Sequence, residues 1–187
     1  VPAGQALLRS GARAGDTLWV SGALGDARLA LEAFRGTVSL AGAAFAAVRA
    51  RMECPIPRVA LGQALRGVAR SAIDLSDGLV GDLGHVLARS GVGATVNVDA
   101  LPRSAVLAAQ PRPLQLECTL AGGDDYELLF SAPPAREREV LAAADKAGVL
   151  VTPVGSIDAA PGLRLVDADG AALRQRFLAF DHFRATL

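Results

Sequence analysis

Apolar and polar positions along the chain switch repeatedly between a period of two and a helical period. Residues 17–20, "TLWV", are apolar and β-prone, and the "SGALGD" after them reads as a turn into a helix through about Phe34. A second helical pattern covers roughly 41–51, with a glycine-containing loop at 35–42 between the two. "CPIPR", residues 54–58, breaks the chain, because proline cannot continue a helix and restricts the residue before it. A short helix through about Ala69 then leads to the apolar residues around Ile73. From Asp77 onward, Leu79, Leu83, Val86 and Leu87 recur on one helical face, and Gly91 predicts a left-handed cap.

Residues 94–98, "ATVNV", alternate as a strand, and Tyr126, Leu128 and Phe130 alternate as another in "DYELLF". Between them, 104–121 holds helical pieces interrupted by "QPRP". "PPAREREVLAAADKAG" reads as a helix with proline at its start and Gly148 past its end. Residues 151–157, 163–166 and a tail containing "FDHF" read as extended. The expected class is α+β, a mixed β-sheet covered by helices.

Composition narrows the chemistry. The 187 residues are 51% hydrophobic, enough for a sizeable core, and 19 basic residues balance 19 acidic ones. That balance removes the electrostatic case for nucleic acid or an anionic membrane surface as partner, while a small phosphorylated ligand stays open. Cys54 and Cys118 are far apart, without zinc spacing, and are expected to be reduced. With no run of eighteen apolar residues and no charged-then-apolar leader, the expected compartment is the cytoplasm.

The candidate chemistry lies in two acidic stretches at strand boundaries. In "SAIDLSDGLVGDLGHVL", Asp74, Ser76 and Asp77 stand between a strand and a helix. One reading makes Ser76 the N-cap and places Asp77 in the first turn, where free N–H groups favour negative charge. It leaves Asp74 unexplained, since a carboxylate closing an apolar strand needs solvent or a cation. The other reading makes the turn a hard oxygen site for Mg²⁺, with the hydroxyl and free N–H groups receiving phosphate. The second stretch, "AGGDDYELLF", puts Gly122 and Gly123, which allow close backbone approach, before Asp124 and Asp125. It reads either as a solvated turn or as part of the same site.

Four stretches in order, "VPAGQALLRSGARAGDTLWVSGALGD", "PRVALGQALRGVARSAIDLSDGLVGDLGHVLARSGVGA", "LAGGDDYELLF" and "FDHF", resemble the thiamine-monophosphate kinases over nearly the whole chain. That family belongs to the superfamily of aminoimidazole ribonucleotide synthetase, selenophosphate synthetase and a hydrogenase maturation factor. The resemblance implies the fold of the C-terminal domain of aminoimidazole ribonucleotide synthetase-like proteins. It also implies transfer of the γ-phosphoryl group of ATP to thiamine monophosphate, giving thiamine diphosphate and ADP.

By motif, Asp74 and Asp77 resemble Mg²⁺ ligands, and Arg9 and Ser76 resemble nucleotide contacts. Asp124 and Phe180 resemble substrate contacts, Asp124 standing where the family commonly has glutamate. Asp82, Glu127, His85 and His182 are given no direct role. Family members carry a preceding N-terminal domain that holds most of several Mg²⁺ ions and forms a homodimer. The expected division is therefore 1–22 as the last strand of that domain or a linker, and 23–187 as the C-terminal domain, inactive alone. Other readings are another ATP-dependent member of the superfamily and a non-catalytic remnant.

Overall fold

The structure is a computed structural model, and it describes residues 2–175 and 177 of the chain. Its strands are β1 (Thr17–Ser21), β2 (Ser71–Asp74), β3 (Gly93–Asn97), β4 (Leu128–Ala132), β5 (Val151–Asp158) and β6 (Gly162–Val166). They form one sheet in the order β2-β4-β1-β5-β3-β6. All pairs are antiparallel except β3 and β6, which run parallel, so the sheet is mixed as expected. The helices are α1 (Asp26–Phe34), α2 (Gly42–Glu53), α3 (Val59–Ala64), α4 (Leu79–Ser90), α5 (Ala105–Ala108), α6 (Arg112–Ala121) and α7 (Glu137–Ala147).

Alternation along the strands assigns the two faces of the sheet. Leu18, Val20, Ile73, Leu129 and Val96 share one core with Leu83 and Val86 of α4 and Leu116 and Leu120 of α6. Trp19 and Phe130 point the other way, into a second core with Leu61 of α3 and Val140 and Ala144 of α7. These two rings face each other across β1 and β4, stacked with centroids 6.4 Å apart. Such a pair contributes roughly 0.5–1.5 kcal/mol beyond the area it buries. Leu29 and Ala30 of α1, Val48 of α2 and Leu107 of α5 close a third cluster over Cys118.

Thr17–Ser21, expected to end a preceding domain or to lie in a linker, is instead an interior strand, bonded to β4 on one side and β5 on the other. Its residues fill both cores at once, as an interior strand requires. In α4 the expected apolar stripe is buried and Gly91 takes the left-handed cap, with φ of 67°. Gly148 does the same after α7. His85 is exposed, opposite the stripe. Cys54 and Cys118 are free thiols, and burial pushes Cys118 up to about 12.

Candidate active site

The two acidic stretches meet at one end of the β2–β4 pair. The ladder ends where Asp74 faces Leu128, and the backbones then stay together in irregular form. Leu75 N–H donates to the Glu127 carbonyl at 2.8 Å, Tyr126 N–H to Leu75 at 2.9 Å, and Asp124 N–H to Ser76 at 3.0 Å. Gly123 is required by this approach, because a Cβ there would lie 2.4 Å from the Ser76 carbonyl oxygen. The close approach expected of the glycine pair is thus to the other loop at Gly123 and to Cys118 and Arg28 at Gly122.

Two local expectations change. Helix α4 begins at Leu79 behind Gly78, so Ser76 is not its N-cap and Asp77 lies before its first turn. The N–H groups of Ser76 and Asp77 donate instead to Asp82 Oδ2, at 3.0 and 3.1 Å. Asp82, buried in the first turn of α4, folds back under the loop and gives its donors an acceptor. Burial raises its pKa, the two N–H bonds oppose the rise, and the charges of Asp77 and Asp74 add to it. Tyr126 also departs from expectation: β4 starts only at Leu128, and Asp124 and Tyr126 have φ of 67° and 50°. Left-handed backbone at two non-glycine residues costs of order 1–3 kcal/mol each and is concentrated at functional sites.

Behind the loops the acids are buried and hydrogen-bonded. Asp125 accepts the Gly25 N–H at 2.9 Å, and burial, with the nearby charges of Asp26 and Glu127, holds its carboxyl well above the usual range. Glu127, with no exposed surface, accepts from Ser21 Oγ and Arg51 at 2.6 Å and from Arg58 through two N–H groups at 2.6 and 2.5 Å. One carboxylate therefore ties β1, α2 and the "CPIPR" turn to the start of β4. Glu127 and Asp82 are framework residues, as expected.

In front of the loops the acids are free. Among the described residues, no hydrogen bond or ion pair engages the carboxylates of Asp74 or Asp77 or the hydroxyl of Ser76, and Asp124 receives only the Tyr126 hydroxyl at 3.3 Å. Asp74 and Arg9 line one groove of about 760 Å³, floored by Leu7, Val59 and Leu128. An adjoining space of about 430 Å³ runs from Asp74 to Arg58 and Tyr126. Beyond Tyr126 a smaller pocket of about 170 Å³ holds Ser76, Asp77 and Asp124 opposite Arg28 and Arg35 of the α1 segment. Asp124, and then Asp74 and Asp77, raise the pKa of the Tyr126 phenol, which marks the negative potential at this face.

The structure thus groups Arg9 with Asp74, and Ser76 with Asp77 and Asp124, with Tyr126 standing between the groups. Phe180 lies outside the described residues. The sequence pattern singles out none of Tyr126, Arg28 and Arg35: it places Tyr126 in a strand, and Arg28 falls within the helix read through about Phe34. The asymmetric "GGDDY" charge run was the available signal for Tyr126.

Asp74 and Asp77 suit a hard divalent cation as a partial donor set. Among the described residues no three His, Cys, Asp or Glu side chains gather closely enough to hold a metal alone. Mg²⁺ commonly takes only one or two carboxylates and completes its shell with water and substrate phosphates, so two free carboxylates beside open space fit it. Among the described residues no helix is long and apolar enough to cross a membrane.

The chain is 42% identical over 187 residues to a thiamine-monophosphate kinase of Salmonella typhimurium, covering 98% of this chain and 57% of the relative. It is 39% identical to that of Escherichia coli K12, with the same coverage. The chain therefore spans somewhat more than half the length of these curated relatives. A crystal structure of thiamine-monophosphate kinase from Stenotrophomonas maltophilia superposes with a TM-score of 0.84 at 40% identity, over 92% of this chain and 56% of that one. A structure of AaThiL complexed with AMPPCP and TMP superposes at 0.76 and 30% identity, over 95% and 54%. Residues 13–168 match the model of the AIR synthase related protein, C-terminal domain, and the chain belongs to that family.

Proposed function

We propose that this chain is the C-terminal part of an ATP-dependent thiamine-monophosphate kinase. The observation that carries the reading is that, among the described residues, the side chains of Asp74, Ser76 and Asp77 have no partner and Asp124 only the Tyr126 hydroxyl, all of them around Tyr126 on one face. The same elements hold other acids buried and bonded behind it, whereas the described residues give these no buried partner.

In the proposed reaction an oxygen of the acceptor's phosphate attacks the γ-phosphorus of ATP. The new P–O bond forms as the bond to the β-phosphate bridge breaks, and ADP leaves with the electron pair. No protein nucleophile is needed, and the demands are positioning and charge neutralisation. Asp74 and Asp77 would hold Mg²⁺, which supplies electrostatic stabilisation of the phosphates when bound. Ser76 and Arg9 contact the nucleotide phosphates, and Asp124 meets the acceptor, its side chain one methylene shorter than glutamate. Phe180 completes the acceptor contact by stacking on the thiamine rings. A preceding N-terminal domain supplies the remaining ion ligands and the homodimer contact, and the complete protein works in the cytoplasm on small molecules.

The experiment joins this chain to the N-terminal part present in its relatives and supplies ATP, Mg²⁺ and thiamine monophosphate. Thiamine diphosphate and ADP should accumulate in equal amounts. A folded protein forming neither would overturn the reading.

A further inference from the structure

The small pocket beyond Tyr126 has walls of opposite charge. Asp77 and Asp124 stand on one side and Arg28 and Arg35 on the other, and no ion pair joins the two sides among the described residues. Instead the two guanidiniums share a single carboxylate behind them. Glu32 accepts from Arg28 Nε at 2.8 Å and from Arg35 Nη1 at 3.2 Å, and its other oxygen accepts the Thr37 hydroxyl at 2.6 Å. The Thr37 bond, followed by the two arginines, holds the Glu32 carboxyl below its ordinary range, so it stays ionised. Among the described residues both Nη groups of Arg28 have no acceptor.

Arg28 is also held at its stem. A Cβ on Gly122 would lie 2.7 Å from Arg28 Cβ, so the second acidic loop packs directly against the root of this arginine. Its side chain is only 21% exposed. A guanidinium fixed through Nε, with its remaining donors free beside a pocket, is arranged to take an anion in a planar, multidentate way. At about 170 Å³ the pocket has room for a phosphate-sized group rather than for a whole two-ring acceptor.

Resting on the kinase reading, we infer that Arg28, with Arg35 beside it, binds the phosphate of the acceptor. Phosphate attacking phosphate brings two anions together, and cations held by the acidic loop neutralise only the side they touch. A guanidinium on the opposite wall neutralises the attacking group and orients it, which is an electrostatic and positioning role. Glu32 acts through the arginines and is a positioning residue.

The test uses the longer, active protein. Arg28→Ala should raise KM for thiamine monophosphate about tenfold or more and leave KM for ATP within about twofold, a loss typical of one charge-assisted contact. Arg28→Lys should recover part of the loss, and Glu32→Gln should shift the same KM by a smaller factor. An unchanged acceptor KM in Arg28→Ala, or an equal rise in KM for ATP, overturns the assignment. A second arm uses this 187-residue chain and inorganic phosphate. Phosphate should shift the Arg28 Nε–Hε NMR signal, and no shift on saturation overturns the inference. If the longer wild-type protein makes no thiamine diphosphate, the kinase reading falls, and the phosphate arm alone decides whether Arg28 is an anion contact.

Discussion

The acids behind the two loops and the acids in front of them differ in partners, not in chemistry. Asp125 and Glu127 alternate with Asp124 and Tyr126 along one segment, yet the first two are buried and bonded while the second two face open space. Asp82 stands to Asp74 and Asp77 in the same way. An aspartate in this region is therefore bonded into the framework or left open according to which side of the loop it points to, and the proposed site uses the open ones. The buried set fixes the loop backbones, and those backbones hold the free set in position.

The largest expected effect breaks the buried side. Glu127→Ala removes the acceptor shared by Arg51, Arg58 and Ser21 and should cost about 3–5 kcal/mol in denaturant unfolding of this chain. A cost below about 1 kcal/mol would mean that water replaces the carboxylate freely. On the free side, Asp74→Asn in the longer protein should lower kcat about 100-fold, equivalent to about 2.7 kcal/mol of barrier, and leave the melting temperature nearly unchanged. Equal losses in turnover and stability would erase the distinction between the two sets. A smaller effect is expected at Asp82→Ala, which leaves the N–H groups of Ser76 and Asp77 without their acceptor and should cost about 1–3 kcal/mol. Asp82→Asn keeps an accepting oxygen and should lose less.

The smallest effect is one of pH. The folded-state pKa of Asp125 is raised above its ordinary 3.8, so the folded state holds a proton that the unfolded state releases first. Its contribution to stability is fully present below the ordinary pKa and is lost as pH rises through the folded-state value. The stability of the wild-type chain relative to Asp125→Asn should therefore fall as pH is raised from about 4. A difference that is flat across that range would mean the buried carboxyl titrates normally.

Much of the architecture was legible in the sequence because it depends on short periods. The stripe Leu79, Leu83, Val86 and Leu87, the caps at Gly91 and Gly148, and the strand Gly93–Asn97, one residue off the expected 94–98, all follow from local spacing. Local spacing could not show that Asp82 folds back to bind the N–H groups of Ser76 and Asp77, since an N-cap serine and a returning aspartate look alike in one dimension. Nor could it show the partners of Glu127, because Arg51 and Arg58 approach from more than sixty residues away. Alternation carried Tyr126 into a strand because side-chain period says nothing about φ. The interior place of β1 was missed for a related reason: an apolar run of four residues does not say which strands flank it.

The central claim is that the free carboxylates serve a cation and its phosphates, and the magnesium dependence of turnover tests it most directly. In the longer protein, the double variant Asp74→Asn, Asp77→Asn should need at least about tenfold more Mg²⁺ for half-maximal rate than the wild type, with kcat reduced even at saturation. An identical Mg²⁺ midpoint with unchanged kcat would contradict the account.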